Sequence, residues 1–201
     1  MRLIFDVDNT LIIWKDEYDK ALINTIKKHN LNIDYNDINK LLDEYEKKYT
    51  KYDKELLVDF LNKNLKEKIN LSFINDWLEE LEDCADIEDG LIDTLEYLSK
   101  KYELVILTNW FKEPQIKRLR YVKIDKYFTE IYGGEECIKP SKESYLKAIG
   151  NHDIKDCIMI GDNYDIDIKG ALDIGMKVIL IGNKRNDITT IKNINVLKEM
   201  L

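Results

Sequence analysis

The sequence has little of what marks a secreted, membrane-spanning or nucleic-acid-binding chain. Its three cysteines, Cys84, Cys137 and Cys157, are isolated and odd in number. That excludes a disulfide framework and a paired-cysteine metal site, and leaves reduced packing residues. No apolar run approaches the roughly 18 residues that a membrane span requires. The first such run, "LIF" (3–5), stops at Asp6, too soon for the core of a signal peptide. A cytoplasmic protein is therefore expected. Excess positive charge is missing too: the net charge is −8 over 201 residues, with Lys and Arg mostly interleaved among Asp and Glu. Such a balance argues against a nucleic-acid or membrane surface but leaves room for a local anion site. Repeats and low-complexity tracts are absent.

What is present is ordinary for a folded domain, with 44% hydrophobic and 35% charged residues. The length suits one core domain carrying a smaller inserted one. Glycine and proline mark the division, because neither occurs between Trp14 and Ile87. Apolar residues there recur at helical spacing: Tyr18, Ala21, Leu22 and Ile26; Ile38, Leu41, Leu42, Tyr45 and Tyr49; Leu57, Phe60, Leu61 and Leu65; Phe73, Ile74, Trp77, Leu78 and Leu81. Four packed amphipathic helices are predicted.

Outside that segment the pattern changes to short apolar runs: "LIF" (3–5), "LVIL" (104–107), "CIMI" (157–160) and "VILI" (178–181). Uninterrupted runs rich in Ile and Val are expected of parallel strands covered on both faces. Helical segments separate the last three, "FTEIY" (128–132) reads as a weaker strand, and the C-terminal stretch reads as an edge element followed by a helix. The prediction is an α/β core formed by residues 1–13 and 88–201, interrupted after its first strand by an all-α insertion, residues 14–87.

Ligands of open α/β sheets bind beyond the carboxyl ends of the strands. Those ends carry Asp6, Asp8 and Thr10; Thr108 and Asn109; and Asp162, Asn163 and Asp167, while Lys139 precedes a predicted helix. Asp162 and Asp167 would lie about 140° apart on one α-helix, so both reach a common site only if Asp162 ends the strand and Asp167 begins the helix. Carboxylates gathered without a cation raise one another's pKa. A divalent ion relieves this, and oxygen-only ligands point to Mg²⁺ over zinc.

The segments "DVDNT" (6–10), "LTN" (107–109), "IKP" (138–140) and "GDNYDIDIKGA" (161–171) together resemble the four motifs of the haloacid dehalogenase-like hydrolase superfamily. The resemblance covers nearly the whole chain, with residues 14–87 where its C1 group carries a helical cap. It implies a Rossmann-like three-layer core with a parallel sheet and an inserted helical-bundle cap that closes over the site. It further implies a Mg²⁺-dependent phosphatase acting on a small phosphorylated metabolite: a nucleoside monophosphate, phosphoglycolate or a sugar phosphate.

Under this resemblance Asp6 is the nucleophile that forms an aspartyl-phosphate, and Asp8 is general acid and then base. Thr108, the Asn109 backbone amide and Lys139 hold the phosphoryl oxygens. Asp6, Asp162 and the Asp8 backbone carbonyl hold the metal, with Asp167 and Asn163 behind them and Thr10 supporting Asp8. Trp110 stands where a small residue is common in the family; with Trp14 it is expected to shape the substrate pocket. The acid at position 8 separates the chain from the dehalogenase branch but not from a phosphoryl-transfer mutase. A phosphoryl-acceptor regulatory protein is the alternative from another class; it requires neither the insertion nor the second acid. His29 and His152 lack partners in sequence and are assigned surface or interface roles, Asp165 is read as a helix N-terminal acid, and the insertion's aromatics are read as bundle core.

Overall fold

The structure is a computed structural model and describes residues 1–13 and 17–201. In chain order its elements are β1 (Arg2–Phe5), α1 (Glu17–Lys28), α2 (Tyr35–Lys48), α3 (Lys54–Asn64), α4 (Leu71–Glu80), α5 (Leu91–Ser99), β2 (Glu103–Leu107), α6 (Lys112–Tyr121), β3 (Glu130–Tyr132), α7 (Lys142–Ile149), β4 (Cys157–Gly161), α8 (Lys169–Asp173), β5 (Lys177–Ile181), β6 (Thr189–Ile191) and α9 (Leu197–Met200). The six strands form one sheet, ordered β3-β2-β1-β4-β5-β6, and every pairing is parallel.

Alternation along the strands builds three layers. Leu3, Phe5, Leu104, Ile106 and Ile160 pack on one face with Leu95, Leu98 and Leu119. Ile4, Val105, Leu107 and Met159 pack on the other with Tyr145, Ile149 and Ala171. A strand with both faces buried has no need of polar alternation, which is why the runs read as continuous apolar stretches.

The sheet order reverses around β1, whose neighbours are β2 and β4. Phe5 is level with both Ile106 and Ile160, and the Asp6 N–H continues the ladder by donating to the Ile160 carbonyl at 2.9 Å. The residues that follow these strands, Asp6, Thr108 and Asp162, therefore emerge together at the crevice where ligands collect in such folds.

Helices α1 to α4 follow the predicted periodicity and share a hydrophobic cluster that includes Leu22, Ile38, Tyr45, Leu57, Phe73 and Ile74. In the absence of Gly and Pro, short polar side chains divide them. Asp34, Asp53 and Asn70 have extended backbones, and their side-chain oxygens accept the N–H groups of Asn36, Leu56 and Phe73. Each such cap contributes about 1 kcal/mol.

This four-helix unit is seated on the sheet domain as well as tethered to it. Its two connections lie side by side, with the Ile13 N–H donating to the Asp86 carbonyl at 2.8 Å. At the far side, Tyr52 N–H donates to the Gly134 carbonyl at 2.7 Å and Ile138 N–H to the Thr50 carbonyl at 2.8 Å. Phe111 and Ile138 of the sheet domain join the helical cluster, and Trp110 meets Trp77 and Tyr52 edge to face.

The helical segment expected between "CIMI" and "VILI" is divided: Tyr164–Ile168 form a π-type turn and only then does α8 begin. π-type turns are rare and concentrate at functional sites.

Candidate active site

A cavity of about 810 Å³ lies between the carboxyl end of the sheet and the helical unit. Of the residues singled out from sequence, Asp6, Asp8, Thr108, Asn109, Trp110, Lys139, Asp162, Asn163 and Asp167 all line it. Thr10 does not: it is buried and its hydroxyl has no hydrogen-bond partner among the described residues, so the expected support of Asp8 comes from elsewhere. Trp14 lies outside the described residues.

Lys139 is the electrostatic centre. It is 2% exposed, and its Nζ donates to Asp6 Oδ1 at 2.5 Å and to Asp167 Oδ1 at 2.7 Å. The Asn109 side chain fixes the backbone beside it, accepting from Lys139 N–H at 2.8 Å and donating to the Lys139 carbonyl at 3.1 Å. Asn109 thus uses both side-chain functions on the lysine's backbone. Two glycines permit this crowding. A Cβ on Gly134 would lie 1.9 Å from the Asn109 carbonyl oxygen, and one on Gly161 would lie 2.4 Å from Asp167 Oδ2.

Asp167, read from sequence as standing behind the metal ligands, accepts from Lys139 Nζ and lies in the same acidic cluster as Asp6 and Asp162. Carboxylate oxygens of Asp6, Asp162 and Asp167 lie within 4.8 Å of one another. The π-type turn swings Asp167 inward; its Oδ2 accepts the Asn163 N–H at 2.9 Å, while Asn163 Oδ1 accepts from the N–H groups of Asp165 and Ile166. Asp165 stays exposed, as expected.

Burial pushes the Asp6 carboxyl up to about 8, helped by the charges of Asp167 and Asp8 and opposed by Lys139. Asp162 is pushed up to about 6, again by burial first and the Asp167 charge second. Burial works against the charge on Lys139, but the carboxylates of Asp167 and Asp6 outweigh it and hold the ammonium protonated. One buried ammonium does not balance three carboxylates, and an oxygen-only donor set of this kind suits a hard divalent cation such as Mg²⁺.

Asp8 is held by residues the sequence reading missed. Its Oδ1 accepts from Tyr18 OH at 2.7 Å and Arg118 Nη1 at 2.8 Å, and its Oδ2 accepts from Gln115 Nε2 at 2.8 Å. Gln115 also donates to Thr108 Oγ1 at 3.1 Å, and Arg118 Nε donates to the Cys84 carbonyl at 3.0 Å. A signal for this pair existed. Gln115, Arg118 and Leu119 share one face of α6, so polar groups occupy a stripe that normally carries apolar side chains; both are fully buried. Nothing local marked Tyr18, which reaches the site only because α1 packs over it.

His29 pairs with Asp76 and His152 with Glu103, both outside the cavity lining.

Comparison with known proteins identifies the family and the fold. The sequence model of the haloacid dehalogenase-like hydrolase family matches residues 3–181. Over 96 residues the chain is 31% identical to HAD-hydrolase YfnB of Bacillus subtilis, covering 45% of this chain and 41% of that protein. Over 136 residues it is 27% identical to human N-acylneuraminate-9-phosphatase, covering 66% of this chain and 53% of that one. The chain thus aligns with about half the length of these curated relatives. In three dimensions it resembles a magnesium-bound crystal structure of YfnB, with a TM-score of 0.80 at 22% identity, covering 100% of this chain and 97% of that one. A 2-haloacid dehalogenase of Pseudomonas syringae gives a TM-score of 0.72 at 18% identity, with 98% and 96% coverage.

Proposed function

The chain belongs to the haloacid dehalogenase-like hydrolase family, and from that premise we propose that it is a Mg²⁺-dependent phosphatase of small phosphate monoesters. The observation that carries this reading is the buried Lys139 bridging Asp6 and Asp167, with Asp162 close by, on the floor of the cavity. Phosphatase relatives and a magnesium-bound structural neighbour support it. Asp6, Asp162 and Asp167 would hold the ion, which when bound supplies positive charge that keeps the acids ionised and offsets charge on the transferring phosphoryl group.

Asp6 attacks phosphorus in line. A bond forms between its carboxylate oxygen and phosphorus while the ester P–O bond breaks, giving an aspartyl-phosphate. Asp8 passes a proton to the leaving oxygen, then as carboxylate takes one from the water that cleaves the acyl-phosphate. A carboxylate has about four acceptor positions; on Asp8, Oδ1 carries two partners and Oδ2 one, which leaves Oδ2 for the travelling proton. Tyr18, Gln115 and Arg118 position it. Thr108 Oγ1 accepts from Gln115 and from Trp110 N–H, so its own hydrogen is directed to a phosphoryl oxygen. Lys139 neutralises charge on that group.

The test is phosphate release from a panel of phosphorylated metabolites, with and without Mg²⁺, alongside Asp6→Asn. Turnover is expected to require the metal and to fall on the order of 10⁴-fold or more in the variant. Metal-independent turnover that survives Asp6→Asn would overturn the mechanism.

A further inference from the structure

The cavity has two chemically distinct halves. Its floor, the sheet domain, meets the phosphoryl group; its roof, the helical unit, meets the alcohol half of the ester. The roof is acidic. Asn39, Asp43 and Glu46 follow one another at helical spacing on α2 and all line the cavity, joined by Asp19 of α1. Among the described lining residues the roof offers one cation, Lys40. Asn39 Nδ2 donates to Asp19 Oδ1 at 3.1 Å, and Glu46 Oε1 accepts from Tyr52 OH at 2.8 Å. These contacts fix both carboxylates while leaving further acceptor positions open.

Burial raises the Glu46 carboxyl, opposed by Tyr52, Lys139 and Asn109 and reinforced by Asp43. Glu46 therefore stands where a substrate leaves the phosphate floor. A hydroxyl can donate to carboxylates with open acceptor positions, so it matches this wall. A carboxylate on the organic half meets like charge from Asp19, Asp43 and Glu46, which disfavours it strongly.

We propose that the roof formed by Asp19, Asn39, Asp43 and Glu46 selects phosphate monoesters whose organic half carries hydroxyl groups and no carboxylate. This rests on the phosphatase reading and narrows it. Sugar and polyol phosphates satisfy the roof; phosphoglycolate and other phosphorylated acids do not.

The experiment uses matched pairs that differ by a carboxylate: glycerol 3-phosphate against 3-phosphoglycerate, and glucose 6-phosphate against 6-phosphogluconate, with p-nitrophenyl phosphate as a generic ester. For the wild-type enzyme, kcat/KM should favour the carboxylate-free member by about ten-fold or more, through KM. Asp43→Lys and Glu46→Gln should each shrink that ratio, with Asp43→Lys moving it further because it reverses a charge. Equal or better use of the carboxylated members, or a ratio that neither variant moves, overturns the proposal. So does turnover of p-nitrophenyl phosphate with none of the hydroxylated esters, although the phosphatase reading then stands. Release of phosphate from no ester at all removes the phosphatase reading, and this inference with it.

Discussion

The helical unit and the sheet domain solve opposite problems. Helices α1 to α4 are organised by apolar contact: Tyr45, Tyr52, Phe60 and Trp110 meet through rings about 5 Å apart, and Leu57, Phe73 and Ile74 are fully buried. At the end of the sheet the chain instead buries Lys139, Asp167 and Arg118 and nearly buries Asp6, groups that cost free energy to remove from water. The lesson is a division of labour. Packing in one region gives the molecule an apolar-cored roof, while the parallel sheet, covered on both faces, carries a floor of buried charges that an ion and a substrate can balance.

The contrast is broken most severely at Lys139. Lys139→Ala removes the one ammonium shared by Asp6 and Asp167, so turnover is expected to fall by on the order of 10³-fold or more. Breaking a buried pair should also cost about 3–5 kcal/mol of stability, with a larger loss at pH 8 than at pH 6, because Asp6, pushed up to about 8, is protonated at the lower pH. Denaturant unfolding at both pH values measures this; a pH-independent loss would count against the electrostatic account.

In the helical unit, Leu57→Ala should cost about 2–5 kcal/mol by leaving a cavity, yet that loss should not change between pH 6 and 8. Comparing the two variants in one titration tests whether the regions are held by different forces.

Adding metal to the wild-type protein has a smaller effect. Asp6 and Asp162 titrate at about 8 and about 6 in the folded protein, against about 3.9 in an unfolded chain. Between those values the folded state holds protons that the unfolded state has lost, so these two groups make metal-free stability fall as pH rises. Mg²⁺ held by the ionised acids would oppose that fall. At 100 times its dissociation constant it should stabilise by about 2.7 kcal/mol, with a Tm increase greater at pH 8 than at pH 6. A thermal shift that Mg²⁺ leaves untouched at both pH values would remove these acids as its site.

Much of this architecture is legible in the amino-acid order because it depends on local pattern. Uninterrupted apolar runs marked the strands, a stretch without Gly or Pro marked the helices, and the polar residues just beyond the strands marked the floor. Thr10 is instructive: its place after β1 resembled a supporting role for Asp8, but its hydroxyl is buried with no hydrogen-bond partner among the described residues. The backbone around Asp167 was not legible either: a helix start was read where the chain makes a π-type turn.

By itself, then, the sequence determined which elements form and which acids stand at the end of the sheet, since periodicity and strand termini act over a few residues. Tertiary structure alone decided that Tyr18, Gln115 and Arg118 converge on Asp8 and that Asp19, Asp43 and Glu46 roof the cavity. Those contacts join residues far apart in the chain, and the way helices settle on a sheet is set by packing across the whole molecule, which no local stretch encodes.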